Sequence, residues 1–153
     1  MSQPRYRPYV TVACVVAAKG SYLLVEECIA GERRFNQPAG HLEAGESVIE
    51  ACARELLEET GLQCQPHSLV RIHQWRTPDG IEFLRFTFGL RLDEQPAVQP
   101  RDPAILACHW LTREEIALLG PQLRSPLVLA SIDDFEKASG VPLSILDDRL
   151  MTN

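Results

Sequence analysis

Gly40-His41-Leu42-Glu43-Ala44-Gly45-Glu46, then seven residues, then Arg54-Glu55-Leu56-Leu57-Glu58-Glu59-Thr60-Gly61-Leu62: this stretch decides how the chain is read. Its middle, residues 47–60, is the clearest helix in the sequence. Ser47 is a good N-cap, and Glu50 three residues on completes a capping box, in which each residue satisfies a backbone N–H of the other. Gly61 supplies a left-handed stop. Ile49, Cys52, Ala53, Leu56 and Leu57 give the helix an apolar stripe. Glu55, Glu58 and Glu59 fall in one arc roughly 100° wide at about 100° per residue. That arc lies beside the apolar stripe and partly overlaps it, so the carboxylates are expected at the edge of the buried face.

Carboxylates held there repel one another. At about 6 Å and an effective dielectric near 20, each pair costs on the order of 3 kcal/mol. They must take up protons, spread into water or hold a cation. Hard divalent ions prefer oxygen ligands, and magnesium suits a few carboxylates completed by waters and phosphate oxygens. An E-x-x-E-E run alone is usually a solvated helix face; the residues around this one set it apart.

Working outward, Val10 to Val16 is rich in β-branched residues and reads as a buried strand. Lys19-Gly20 turns the chain, Tyr22 to Glu26 returns it, and Arg33 to Gln37 reads as a third short strand that Pro38-Ala39-Gly40 breaks. Beyond the helix, Leu69 to Trp75, the turn Thr77-Pro78-Asp79-Gly80 and an alternating arm form a hairpin. In that arm Phe86, Phe88, Leu90 and Leu92 face one way, and Arg85, Thr87 and Arg91 the other. Residues 93–103 carry three prolines and read as a loop. Cys108 to Leu111 reads as a last strand, Thr112 as the cap of a short helix, and Ser125-Pro126 as the start of a final helix with Val128, Leu129, Ile132 and Phe135 buried. Leu143, Ile145 and Leu146 in the tail are candidates for docking. Strands, helix, strands, helix, helix is the order of a mixed sheet with helices on both faces.

The 40–62 stretch matches the Nudix box, G-x5-E-x7-R-E-U-x-E-E-x-G-U with U apolar, at every specified position. At roughly 6% usage per fixed residue, the chance of this in a chain of such length is on the order of 10⁻⁸. The run Trp110 to Ile116 and the strand pair before the box also resemble the family. The resemblance implies an α/β/α sandwich with a mixed β-sheet, one domain over residues 1–153, and a magnesium-dependent hydrolase of phosphoanhydrides, with manganese as a substitute. Carried onto this chain, it implies Glu55 and Glu59 as metal ligands, Glu58 as a ligand or the base that activates water, and the Gly40 carbonyl as a further ligand. It also implies an Arg54–Glu46 pair that holds the helix face in shape. Asp102 and Glu94, in or beside the 93–103 loop, are alternative bases.

Runs such as Asn36-Gln37-Pro38-Ala39-Gly40-His41-Leu42-Glu43, His73-Gln74-Trp75 and Leu123-Arg124-Ser125-Pro126-Leu127-Val128 resemble one bacterial phosphatase branch of the family. That implies nucleoside tri- and diphosphates and hydroxymethylpyrimidine pyrophosphate as substrates, with orthophosphate released. Other specificities in the family include oxidised nucleotides and ADP-ribose. A ligand-sensing module would be expected to show a damaged box or an attached DNA-binding domain. For substrate contacts, Arg33, Arg34 and Arg85 are candidates for phosphate, and Phe35 and Trp75 for stacking on a base. Arg124 starts a helix, a place suited to anions. His73 and His109 read as structural.

Composition narrows the partners. The net charge is −6 over 153 residues, a poor basis for binding a nucleic-acid polymer, whose affinity comes largely from neutralised phosphates. An acidic enzyme acting on phosphates needs a local positive charge, and a bound metal supplies one. The five cysteines form no C-x-x-C pair and read as free thiols of a reducing compartment. No apolar run is long enough to span a membrane. The expected setting is cytoplasmic, with a small nucleotide or pyrophosphate substrate and a monomer or homodimer as the assembly.

Overall fold

The computed structural model describes residues 2–151. β1 (Tyr9–Ala18) and β2 (Ser21–Ile29) form an antiparallel pair about the Lys19-Gly20 turn, where both residues adopt positive φ. β3 (Glu32–Asn36) returns along β2. β4 (Ala39–His41) pairs with β1; β5 (Ser68–Arg76) and β6 (Glu82–Leu92) form the hairpin; β7 (Ile105–Leu111) lies against β2; and β8 (Val141–Pro142) adds to β5. One mixed sheet results, in the order β3-β2-β1-β6-β5-β8 with β4 and β7 off that path. Its central pair, β1 with β6, is parallel. Parallel pairing buries a strand on both faces, and β1 is buried from Val12 to Ala18 without alternation.

One face carries α1 (Val48–Thr60). Ala51, Cys52 and Leu56 pack there on Val12, Cys14, Val16, Leu23, Phe88 and Leu90. The other face carries α3 (Leu127–Ala138), whose Val128, Ile132 and Phe135 meet Val15, Ala17, Leu24 and Phe35, with Ile116 of the short α2 (Arg113–Leu118) closing the end. Full burial of a side chain such as Leu56 or Ile132 stabilises the fold by roughly 1.5–3 kcal/mol. Leu143 and Leu146 of the tail pack on the first cluster, while Ile145 stays exposed.

Three sequence readings change. Pro38-Ala39-Gly40 does not end the strand segment: the Pro38 carbonyl accepts from Cys14 N at 3.0 Å and residues 39–41 run on along β1. On β6, Arg85 and Thr87 are as buried as the apolar face, because α3 covers their side. On α1 the buried face is Ala51, Cys52, Glu55, Leu56 and Glu59, rotated towards the glutamates. No helix among the described residues is long and apolar enough to cross a membrane.

Candidate functional site

The box folds as β4, a turn, and α1. Ser47 Oγ accepts from Glu50 N at 3.1 Å, the reciprocal bond is present, and Gly61 ends the helix at φ 76°. This fixes the rotation of α1, so Glu55 and Glu59 point back at β4. Glu59 accepts from Ala39 N at 2.7 Å. Gly40 faces Glu55 so closely that an added Cβ would lie 2.0 Å from Glu55 Oε1. Any side chain at 40 would therefore occupy the carboxylate's place.

Both glutamates are buried, and the cost shows in their protonation. Burial pushes Glu59 up to about 9, against one backbone N–H that favours its charged form; Glu55, Glu27 and Asp102 push the same way as burial. Burial likewise raises Glu55 to about 7, opposed by Arg54. Arg54 binds Glu46 through two nitrogens at 2.9 and 2.8 Å, Glu55 at 2.8 Å, Glu58 at 3.3 Å and the His41 carbonyl at 2.9 Å. Its bond holds Glu46 below the usual carboxylate range. Of Glu55, Glu58 and Glu59, Glu58 is the most open. The 98–102 segment closes the far end of the helix, with Gln99 N donating to the Thr60 carbonyl and Arg101 N and Asp102 N to that of Glu58. Asp102 is thereby brought beside the buried pair, whereas Glu94 is an exposed residue paired with Lys19 at 3.1 Å.

Among the described residues, no three His, Cys, Asp or Glu side chains converge into a ready cation cage. The site still fits a hard divalent cation, on two observations. Two carboxylates are buried with too little positive charge to keep both ionised, and a glycine leaves the space that the Glu55 head fills. A cation there would find oxygen ligands only, completed from backbone, water or substrate.

Beside β4 opens a cleft of about 440 Å³. Its lining includes the Ala39–His41 segment and Glu27, the hairpin residues Trp75, Asp79 and Phe83, and the arginines Arg85 and Arg124. The Trp75 and Phe83 rings stack at 5.9 Å and 21°. Arg85 is 5% exposed and donates to Gln37 Oε1 at 2.9 Å, while Gln37 Nε2 donates to the Val128 carbonyl at 2.8 Å.

Three expected contacts do not line this cleft. Phe35 is a core residue packed against α3, its ring 5.7 Å from that of His109, so its faces cannot take a base. Arg33 folds onto Glu26, with Nε 2.6 Å from its carboxylate, and Arg34 pairs with Glu32. His73 sits between Thr87 and Asp134 at 3.4 and 3.3 Å, and burial lowers its pKa. His109 lies 3.5 Å from Glu26. Gln37, Glu27 and Asn36 carried no site role in the sequence reading. The signal for Gln37 was there: on a strand whose Phe35 faces the core, residue 37 shares that face.

Comparison with known proteins adds to this geometry. A family model described as NUDIX domain matches residues 5–129; β8, beyond the match, still joins the same sheet. Phosphatase NudJ of Escherichia coli K12 is 50% identical over 143 residues, 94% of this chain and 93% of the relative. A NUDIX hydrolase from Nitrosomonas europaea superposes with a TM-score of 0.83 at 42% identity, over 92% of this chain and 97% of that one. A bifunctional NMN adenylyltransferase/ADP ribose pyrophosphatase from Francisella tularensis, complexed with AMP and a manganese ion, shares the fold. Its TM-score is 0.71 at 19% identity, with 90% of this chain and 44% of that one covered.

Proposed function

The chain belongs to the Nudix family and is a phosphohydrolase of the NudJ kind, and from that premise we propose a magnesium-dependent enzyme that removes a terminal phosphate from nucleoside tri- and diphosphates and from hydroxymethylpyrimidine pyrophosphate. The observation that carries the proposal is the buried Glu55–Glu59 pair, with Glu55 behind Gly40, where Gly40 also lines a cleft that holds Arg85 and Arg124. The substrate class comes from the NudJ relative's likeness over nearly the whole chain.

Glu55, Glu59 and the Gly40 carbonyl are the proposed ligands of the metal, with Glu58 as a further ligand or as the base. When bound, magnesium neutralises phosphate charge and makes nearby water more acidic. The remaining work falls to the chain. Arg54, fixed by Glu46, holds Glu55 and Glu58 in place while leaving Glu58 open to solvent. Glu58, or Asp102 across the 98–102 segment, takes the proton of the attacking water. The water oxygen bonds to the terminal phosphorus and the bridging P–O bond breaks; the bridging oxygen and its electron pair stay with the shortened organic phosphate, and orthophosphate is released carrying the water oxygen. Trp75 and Arg85 are the proposed contacts of the organic part and of phosphate.

Purified protein would be incubated with magnesium, manganese or EDTA and a panel of nucleoside tri- and diphosphates, ADP-ribose and hydroxymethylpyrimidine pyrophosphate, and the phosphate products quantified. Metal-dependent orthophosphate from the nucleotides and the pyrimidine substrate is expected. Pyrophosphate as the product, or turnover of ADP-ribose alone, would overturn the substrate class.

A further inference from the structure

We propose that the Arg85 guanidinium is a dedicated anion subsite for a substrate phosphate, and that Gln37 is the positioning residue that keeps it open by orienting the cation without neutralising it. The proposal rests on the hydrolase reading above and goes on to say how the cleft is built to hold phosphate.

Arg85 is 5% exposed on the central strand β6 and Gln37 is 1% exposed immediately after β3. Among the described residues, the only hydrogen bond or ion pair of the guanidinium is the one to Gln37 Oε1, at 2.9 Å. Burial pulls Arg85 down to about 10, with no carboxylate opposing it. It is therefore cationic at neutral pH and uncompensated. Burying a charge without a partner is destabilising, and elsewhere this chain avoids it. Glu26, equally buried, takes Arg33. Asp134, the carboxylate near the residue opposite Arg85 on β5, is committed to His73 and Arg71 instead.

Gln37 is suited to this task in a way a carboxylate is not. Its oxygen accepts from Arg85 while its nitrogen donates to the Val128 carbonyl in the first turn of α3, so both ends of the amide are used and its orientation is fixed. The guanidinium is aimed but keeps its charge and its remaining donors. Arg85 lines the same cleft as Gly40, and its planar fork matches the oxygens of a phosphate. A phosphate held there would lie along the cleft from the box.

Gln37→Glu tests this by placing a carboxylate where the amide oxygen stands. Inorganic orthophosphate, titrated calorimetrically into metal-free protein, is the probe. Wild type should bind it; Gln37→Glu should bind at least about tenfold more weakly, with KM for a nucleoside diphosphate raised by a similar factor and kcat within about threefold, as loss of uniform binding predicts. Gln37→Leu, which leaves the charge free but less well aimed, should fall between the two. Arg85→Gln guards against a misfolded Gln37→Glu, because it removes a buried charge and should stay folded while losing orthophosphate binding. Wild-type orthophosphate affinity in either Gln37→Glu or Arg85→Gln overturns the proposal, as does a Gln37→Leu loss as large as that of Gln37→Glu. The hydrolase reading fails separately: no metal-dependent turnover by a wild type that binds orthophosphate would sink that reading and leave the subsite standing.

Discussion

The two walls of the site bury opposite charges and hold them by opposite means. Behind β4, Glu55 and Glu59 are buried together, and without a cation the buried carboxylates lower their cost by keeping protons, Glu59 up to about 9 and Glu55 up to about 7. In the cleft, Arg85 is buried with a neutral amide as its partner and stays charged. A carboxylate can shed its charge within the physiological range and a guanidinium cannot. The acidic wall is therefore tunable by pH and metal, while the basic wall answers only to an anion. A phosphoanhydride brings its negative charge to both: to a metal at the first and to the guanidinium directly at the second.

The largest expected effect breaks the acidic wall. Glu59→Gln should lower kcat by about 10²- to 10⁴-fold, the range of a lost acid–base or metal-positioning group, with KM changed far less; activity within tenfold of wild type would remove Glu59 from the machinery. The same substitution should stabilise the metal-free fold. Glu59 is raised above the ordinary glutamate value of about 4.5, so the folded state binds the proton more tightly than the unfolded chain does. Its contribution is fully present below about 4.5 and is lost as pH rises towards about 9. In EDTA, the melting temperature of Glu59→Gln minus that of wild type should grow from pH 5 to pH 9. A flat difference would mean that Glu59 is ionised in the metal-free protein. Metal binding at pH 7 should accordingly release protons, read by calorimetry in buffers of different ionisation enthalpy.

Gly40→Ala breaks the seam between the walls. The new Cβ would meet the far end of a flexible side chain, Glu55 Oε1 at 2.0 Å, so the fold should hold while the carboxylate moves. A displacement on the order of 1 Å costs about 10²-fold in rate. A melting temperature that falls as steeply as activity would show that the seam is structural.

How much of this was legible in the sequence follows the range of the interactions involved. Ser47, Glu50 and Gly61 specify α1 through contacts within a few residues, and they could be read directly. The rotation of the buried face onto Glu55 and Glu59 was only half visible, because what covers those residues is β4 and the 98–102 segment, both placed by tertiary pairing. β4 itself is three residues long, two of them Ala and Gly, and carries no strand signal of its own. The basic wall was least legible. Arg85 and Gln37 are 48 positions apart, and they meet only because β6 pairs in parallel with β1, a register that no local pattern encodes. For the same reason Phe35 and Arg33 passed as substrate contacts: only tertiary packing buries Phe35 under α3 and sets Arg33 on Glu26 of β2.

Trp75→Ala sharpens the comparison on the cleft side. If the organic part of the substrate lies on the Trp75–Phe83 stack, losing one ring should raise KM by about threefold to tenfold, the worth of an aromatic pair, and leave kcat unchanged. An unchanged KM for every nucleotide would place the base elsewhere and leave the cleft a phosphate site alone.

The smallest effect separates the helix from its chemistry. Ser47 caps the end of α1 remote from Glu58 and Glu59, accepting from Glu50 N at 3.1 Å. Ser47→Ala should destabilise the protein by about 1 kcal/mol, a fall of about 2–4 °C in melting temperature for a chain of this size. The rate should barely change, because Gly61 and the 98–102 segment hold the other end, where Glu58 and Glu59 sit. A drop in kcat at an unchanged melting temperature would reverse that reading. It would mean that the cap sets the rotation of the whole helix, and that Glu59 reaches Ala39 only because Ser47, three turns away, holds the first turn in register.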